Sequence, residues 1–276
     1  MTLMRLAAGL LLVLLALYGA VVAAFWWFQR GLLYPGQGGP VPATGARLPP
    51  EIETITVPTP DGERLRALWL PPAPGTGVVV TFHGNASLPE WHAERFAAGP
   101  WRARGWGVMA PAYRGYPGST GSPSEAGLIA DGLASLAEAR RRAPGAPVLL
   151  HGHSLGAAVA VAVAARAGAS GVLGLYLEAP FDSMTAMARH HFRLLPTGLL
   201  ADSWHSDRII GAVAVPILIV HGDADPVIPA KYGARLARAA ARADFVEVPG
   251  DHVAILGSQD VEAEARFRAG PGVLTK

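Results

Sequence analysis

Six short apolar runs punctuate the chain, at residues 78–82, 108–111, 148–151, 172–177, 217–221 and 245–248. Each is continuously hydrophobic rather than alternating, the pattern of a strand buried on both faces. Helical patterns separate them at residues 91–104, 124–142, 157–167 and 231–242. Strand and helix alternating in this way fold as a mostly parallel sheet flanked by helices. Ahead of these runs, residues 52–57 and 65–70 alternate in polarity around Thr59-Pro60-Asp61-Gly62. That is a hairpin signal, and it places an antiparallel pair at the start of the sheet. One connection breaks the rhythm. Residues 181–215, after the sixth strand, mix Met184, Met187, Phe192, Leu194, Leu195 and Trp204 with polar side chains. The segment reads either as a crossover helix with its loop or as a small cap over a site.

Composition supports one domain of this kind. The chain has 276 residues, 51% of them hydrophobic and 16% charged, enough apolar material for a large buried core. Formal net charge is +2, and Lys231 and Lys276 are the only lysines among 23 basic residues. No basic run or basic–aromatic stripe occurs, so nucleic acid is not an expected partner. The absence of cysteine excludes disulfides, thiolate catalysis and thiolate-ligated zinc. No cluster of side chains calls for a metal or an organic cofactor.

The amino terminus has a different character. Residues 6–28 carry no charge, and as a helix would span about 35 Å against a hydrocarbon core of roughly 30 Å. Phe25, Trp26, Trp27 and Phe28 close the segment where an interfacial aromatic belt would lie, and Arg5 and Arg30 flank it. A single-pass membrane anchor over residues 1–30 is the expectation. The competing reading is a cleaved signal peptide with small residues at Val22 and Ala24, although its apolar region exceeds the usual 7–15 residues. The short leading segment favours an extracytoplasmic position for the rest of the chain. Residues 31–50, rich in Gly and Pro, read as a linker clearing the membrane, with the domain proper at 51–276.

Within that domain, Gly152-His153-Ser154-Leu155-Gly156 matches G-x-S-x-G. Its setting matters more than the string. An apolar strand enters it and a helix leaves it, so a sharp turn would lift Ser154 above the sheet. Glycine on either side removes Cβ atoms that would collide there. Serine is a poor nucleophile without a base. Of nine histidines, His252 follows the last expected strand on a loop able to reach Ser154. His190, His191 and His205 suit lid or surface roles, and His92 reads as an exposed helix residue. His151 and His153 are too close in sequence to turn back on Ser154 and are read as structural or pocket-lining. The acid that orients the base belongs after the strand at 217–221, where Asp223 and Asp225 are both available. Asp225 is preferred, because the loop extends before turning at Pro226, and Asp251 would point away from His252. The order Ser, Asp, His follows. An oxyanion hole would draw one N–H from Asn85 in His83-Gly84-Asn85 and the second from Leu155.

At this point the chain resembles the membrane-anchored α/β-hydrolase domain proteins, related to the serine aminopeptidases of the prolyl-aminopeptidase clan. The strings carrying the resemblance are Leu32-Leu33-Tyr34-Pro35, His83-Gly84-Asn85, residues 112–119 (AYRGYPGS), residues 151–156 (HGHSLG), Ala179-Pro180-Phe181 and residues 221–225 (HGDAD). It covers nearly all residues beyond 30. The resemblance implies the α/β-hydrolase fold, Asp225 as the triad acid, and activity as an esterase, a thioesterase removing protein acyl chains, or a lysophospholipid lipase. Two positions depart from the family pattern: Ala112 stands where aspartate is frequent, and Pro117 replaces a usual glycine.

The resulting expectation is hydrolysis of a carboxylic ester or thioester, of a small-molecule or lipid substrate, through an acyl-Ser154 intermediate. An aminopeptidase-like serine peptidase and a non-catalytic acyl-ligand-binding protein on the same fold are the alternatives. An epoxide hydrolase or dehalogenase would place aspartate at the elbow, where this chain has Ser154.

Overall fold

The computed structural model describes residues 2–41 and 48–268. A long helix α1 (Thr2–Leu33) leads into an eight-stranded sheet made of β1 (Glu53–Pro58), β2 (Arg64–Leu70), β3 (Val78–Phe82), β4 (Gly107–Pro111), β5 (Val148–His153), β6 (Val172–Glu178), β7 (Ile217–Gly222) and β8 (Ala243–Val248). The strands lie in the order β1-β2-β4-β3-β5-β6-β7-β8. The first two pairings are antiparallel and the rest parallel. This is the α/β-hydrolase fold, with the expected hairpin at its start. Gly62, at φ 94°, closes that hairpin by donating its N–H to the Thr59 carbonyl at 3.0 Å.

Helices cover both faces. They are α2 (Pro89–Phe96), α3 (Gly99–Ala103), α4 (Glu125–Arg142), α5 (Leu155–Ala167), α6 (Met184–His191), α7 (Ser206–Ile209), α8 (Lys231–Ala239) and α9 (Asp260–Arg268). The helix expected over 91–104 is two helices. Ala98, extended at φ −132°, separates them, and Pro100, which has no N–H to extend the first ladder, sits in the opening turn of the second. His92, expected to be exposed, is buried at 2% exposure: α2 turns that face inward onto the histidines of β5. By contrast, α4 starts as sequence chemistry dictates, with Ser124 Oγ accepting from the Gly127 N–H at 3.1 Å and Arg140, Arg141 and Arg142 in its last turn. α5 is apolar nearly all round, and its first ten residues are buried.

The parallel strands bring their carboxyl ends to one edge. Phe82 is level with Gly152, His153 with Glu178, Glu178 with Val220, and Gly222 with Val248. The loops that follow therefore gather residues separated by about 170 positions of sequence at one place.

The amino-terminal segment is joined to the domain more closely than a free linker would be. α1 continues to Leu33, and Tyr34 is fully buried in the main core. The Gly36 N–H donates to the Asn85 carbonyl at 3.2 Å and that of Gly38 to the Gly115 carbonyl at 2.7 Å. The linker expected over 31–50 thus begins as part of the folded body, because its aromatic and glycine residues find partners on the domain. Residues 42–47 of it lie outside the described residues.

Candidate active site

Ser154 lies between β5 and α5 with φ 55° and ψ −117°. A non-glycine residue in that region costs about 1–3 kcal/mol, and the surrounding chain must hold it there. Two backbone bonds do so: the Ser154 N–H donates to the Glu178 carbonyl at 2.9 Å, and its own carbonyl accepts from Ala157 at 3.0 Å. The flanking glycines are required by space. A Cβ on Gly152 would run into the Gly156 backbone, and one on Gly156 into the Phe82 carbonyl.

The loop after β7 carries Asp225, which is buried, and the loop after β8 carries His252. Asp225 Oδ2 lies 2.7 Å from His252 Nδ1, so Nδ1 bears the proton and Nε2 is left as an acceptor. Asp225 Oδ1 accepts from the Val227 and Ile228 N–H groups, each at 2.8 Å. Burial raises the pKa of this carboxyl, but hydrogen bonds from His221, His252 and Ile228 outweigh it and hold the group well below the usual carboxylate range. Asp223 points elsewhere: it is exposed, and its Oδ1 accepts from the Gly250 N–H at 3.1 Å, fixing the start of the histidine loop. Asp251 accepts from Val253 and Ala254 and turns away from His252.

Among the described residues, no hydrogen bond joins Ser154 Oγ to His252. What ties their neighbourhoods together is His153. Its Nε2–H donates to the His252 carbonyl at 3.0 Å, and the two rings lie 4.9 Å apart. The same ring packs on Gly84, where a Cβ would come within 3.2 Å of His153 Nδ1. His153 therefore touches the loops after β3 and β8 as well as the elbow. Burial lowers its pKa to about 4, so it is a neutral prop rather than a competing base.

The third loop is His83-Gly84-Asn85. The Asn85 carbonyl accepts from Tyr116 Oη at 2.6 Å and from Gly36, and its side-chain amide donates to the Leu33 carbonyl at 3.3 Å. His83 is buried against Tyr113, and burial takes it down to about 4. The backbone N–H groups of Asn85 and Leu155 have no hydrogen-bond partner among the described residues. Both residues line one cavity with Ser154, of about 470 Å³, whose other walls are mainly apolar: Phe181, Met184, Met187, Phe192 and Leu195 on one side and the carboxyl half of α1 on another.

Two residues that sequence reading passed over lie beneath the elbow. Glu178, the last residue of β6, is fully buried and pairs with Arg95 at 2.5 Å, while His151 Nε2 donates to it at 2.9 Å. Arg95 also pairs with Asp260 at 2.5 Å. Desolvation raises the Glu178 pKa, but the guanidinium and His151 outweigh it and keep the carboxyl well below the usual range. A charged residue closing the apolar run at 172–177 was the only sequence signal for this ion cluster.

The comparisons with known proteins agree with this architecture. The Serine aminopeptidase, S33 family matches residues 73–205. An uncharacterised protein of Mycobacterium tuberculosis is 35% identical over 257 residues, covering 91% of this chain and 89% of that one. Lysophosphatidylserine lipase ABHD12 of Danio rerio is 30% identical over 175 residues, covering 58% of this chain and 46% of that one. Among solved structures, an alpha-beta hydrolase from Vibrio vulnificus superposes with a TM-score of 0.68 at 21% identity, covering 87% and 92% of the two chains. The Pyrococcus furiosus esterase Pf2001 gives 0.60 at 17% identity, covering 80% and 92%. With the sheet order, the serine elbow and relatives matched over most of its length, this chain belongs to the α/β-hydrolase domain proteins of the serine aminopeptidase, S33, family.

Proposed function

We propose that the protein is a serine hydrolase that cleaves carboxylic esters or thioesters carrying an acyl chain, through an acyl-Ser154 intermediate. The observation that carries the reading is the 2.7 Å Asp225–His252 bond, whose loop is tied to a strained Ser154 at the wall of an apolar cavity. In the reaction, His252 Nε2 takes the Ser154 proton as Oγ attacks the carbonyl carbon. The carbonyl electrons move onto oxygen, where the Asn85 and Leu155 N–H groups receive them. Collapse expels the leaving alkoxide or thiolate, which takes the proton from His252. Water, deprotonated by the same histidine, then releases the acid and restores Ser154.

Acyl rather than peptide substrates fit the cavity better. A free amino terminus needs a carboxylate to receive it, and Asp202, the one acidic side chain lining the cavity among the described residues, is already paired with Arg30 at 3.0 Å and accepts from the Glu125 N–H. Relatives described as an esterase and a lipase favour the same choice. We further propose that α1 remains attached and crosses a membrane, since residues 3–17 are exposed and apolar but for Arg5.

A fluorophosphonate probe is expected to label the wild type and to leave Ser154→Ala unlabelled; equal labelling would discard Ser154 as the nucleophile. Nitrophenyl esters are expected to turn over faster than aminoacyl arylamides. Faster arylamide turnover would favour the peptidase reading, and stoichiometric acyl binding without turnover the non-catalytic one.

A further inference from the structure

α1 does more than a tether requires. At about 3.6 residues per turn, Val22, Phe25, Gln29 and Leu33 fall on one face of the helix, and these are its half-buried positions between residues 21 and 33. That face lines the cavity that also holds Ser154. Polar contacts fix it against the segment following α6. Tyr18 Oη donates to the Leu194 carbonyl at 2.7 Å, the Ala201 N–H donates to Gln29 at 2.7 Å, and Phe25 meets Phe192 edge-on with centroids 5.4 Å apart.

Residues 18–33 carry the contacts with the domain, and residues 3–17 project from it as about 22 Å of helix. The segment alongside Tyr18 and Phe25 exposes large apolar side chains on either side of Arg193, with Phe192 at 47%, Leu194 at 83% and Leu199 at 47% exposure. Exposed leucine of that extent beside an apolar helix suits a segment that lies against the bilayer.

Resting on the hydrolase reading above, we infer that the carboxyl half of α1 is a wall of the acyl site, and that the acyl chain of a bilayer lipid ester passes sideways from the membrane into the cavity between α1 and residues 192–199. The helix then selects the substrate as well as holding the enzyme in place. An aqueous ester of short acyl chain needs neither contact.

The test uses the full chain in phosphatidylcholine vesicles and exploits the absence of native cysteine. Treatment of the double variant Phe25→Cys/Phe192→Cys with a short bismaleimide is expected to give an intramolecular crosslink, while Ala24→Cys/Phe192→Cys, whose first position faces away, stays open. The ratio of hexadecanoyl-ester to acetyl-ester hydrolysis is expected to fall roughly tenfold or more in Val22→Trp, because about two or more methylenes lose their burial at about fourfold each. Ala24→Trp is expected to keep the wild-type ratio. Absence of the Phe25/Phe192 crosslink, or an unchanged ratio in Val22→Trp, overturns the inference. If the wild type hydrolyses no ester, the hydrolase reading fails instead, and the crosslink still decides whether α1 docks as described.

Discussion

At Asp225 both carboxylate oxygens are committed, one to two backbone N–H groups and the other to His252. Replacing it by asparagine would keep the shape and reverse the demand on His252, because an amide nitrogen facing Nδ1 favours the wrong tautomer. Under the proposed chemistry, Asp225→Asn is expected to lower kcat by about 10⁴-fold with little change in thermal stability. Asp223→Asn, whose carboxylate only fixes the Gly250 N–H, is expected to stay within about tenfold of wild type. Steady-state kinetics on an acetyl ester separates the two; a comparable loss in both would remove the distinction drawn between these neighbours.

At the scale of the element, β6 shows how a strand end serves a site it does not reach. Its final residue lends its carbonyl to Ser154 and its side chain to Arg95 and His151. The carboxylate is enclosed, so losing its charge leaves the Arg95 guanidinium short of a partner in a poorly hydrated place. Glu178→Gln is expected to cost about 3–5 kcal/mol, read as a lowered urea midpoint, and Arg95→Met a similar amount. The double variant is expected to cost less than the sum of the two. Additivity would mean that the pair contributes nothing as a pair.

Across the whole molecule, buried neutral histidines gather around the elbow, namely His83, His92, His151 and His153. Burial pushes each below 6.5, the first and last to about 4. In the unfolded chain these groups take up protons near 6.5, whereas in the folded one they resist, so the unfolded state binds more protons between about pH 6.5 and 4. Stability is therefore fully present above pH 6.5 and falls as pH drops through that window, by up to about 1.4 kcal/mol per pH unit for each histidine. Denaturant midpoints at pH 7.5, 6 and 5 are expected to decline in that order. A flat profile would mean that these rings are hydrated or already charged.

The eight strands and the elbow were legible in the sequence because continuous apolar runs and a strand–glycine–helix transition are local chemistry. So was the order of serine, aspartate and histidine along the chain. Other features depended on neighbours distant in sequence. The inward face of His92, the break near Gly99, the Arg95–Glu178 pair and the prop between His153 and the His252 carbonyl each join segments that the sheet alone brings together. The apolar amino-terminal segment was legible as a helix from its lack of charge. Which of its faces would meet the cavity was decided only when the chain packed, because Val22, Phe25 and Gln29 acquire their partners from residues about 170 positions away, where the elements after β6 fold back over Ser154.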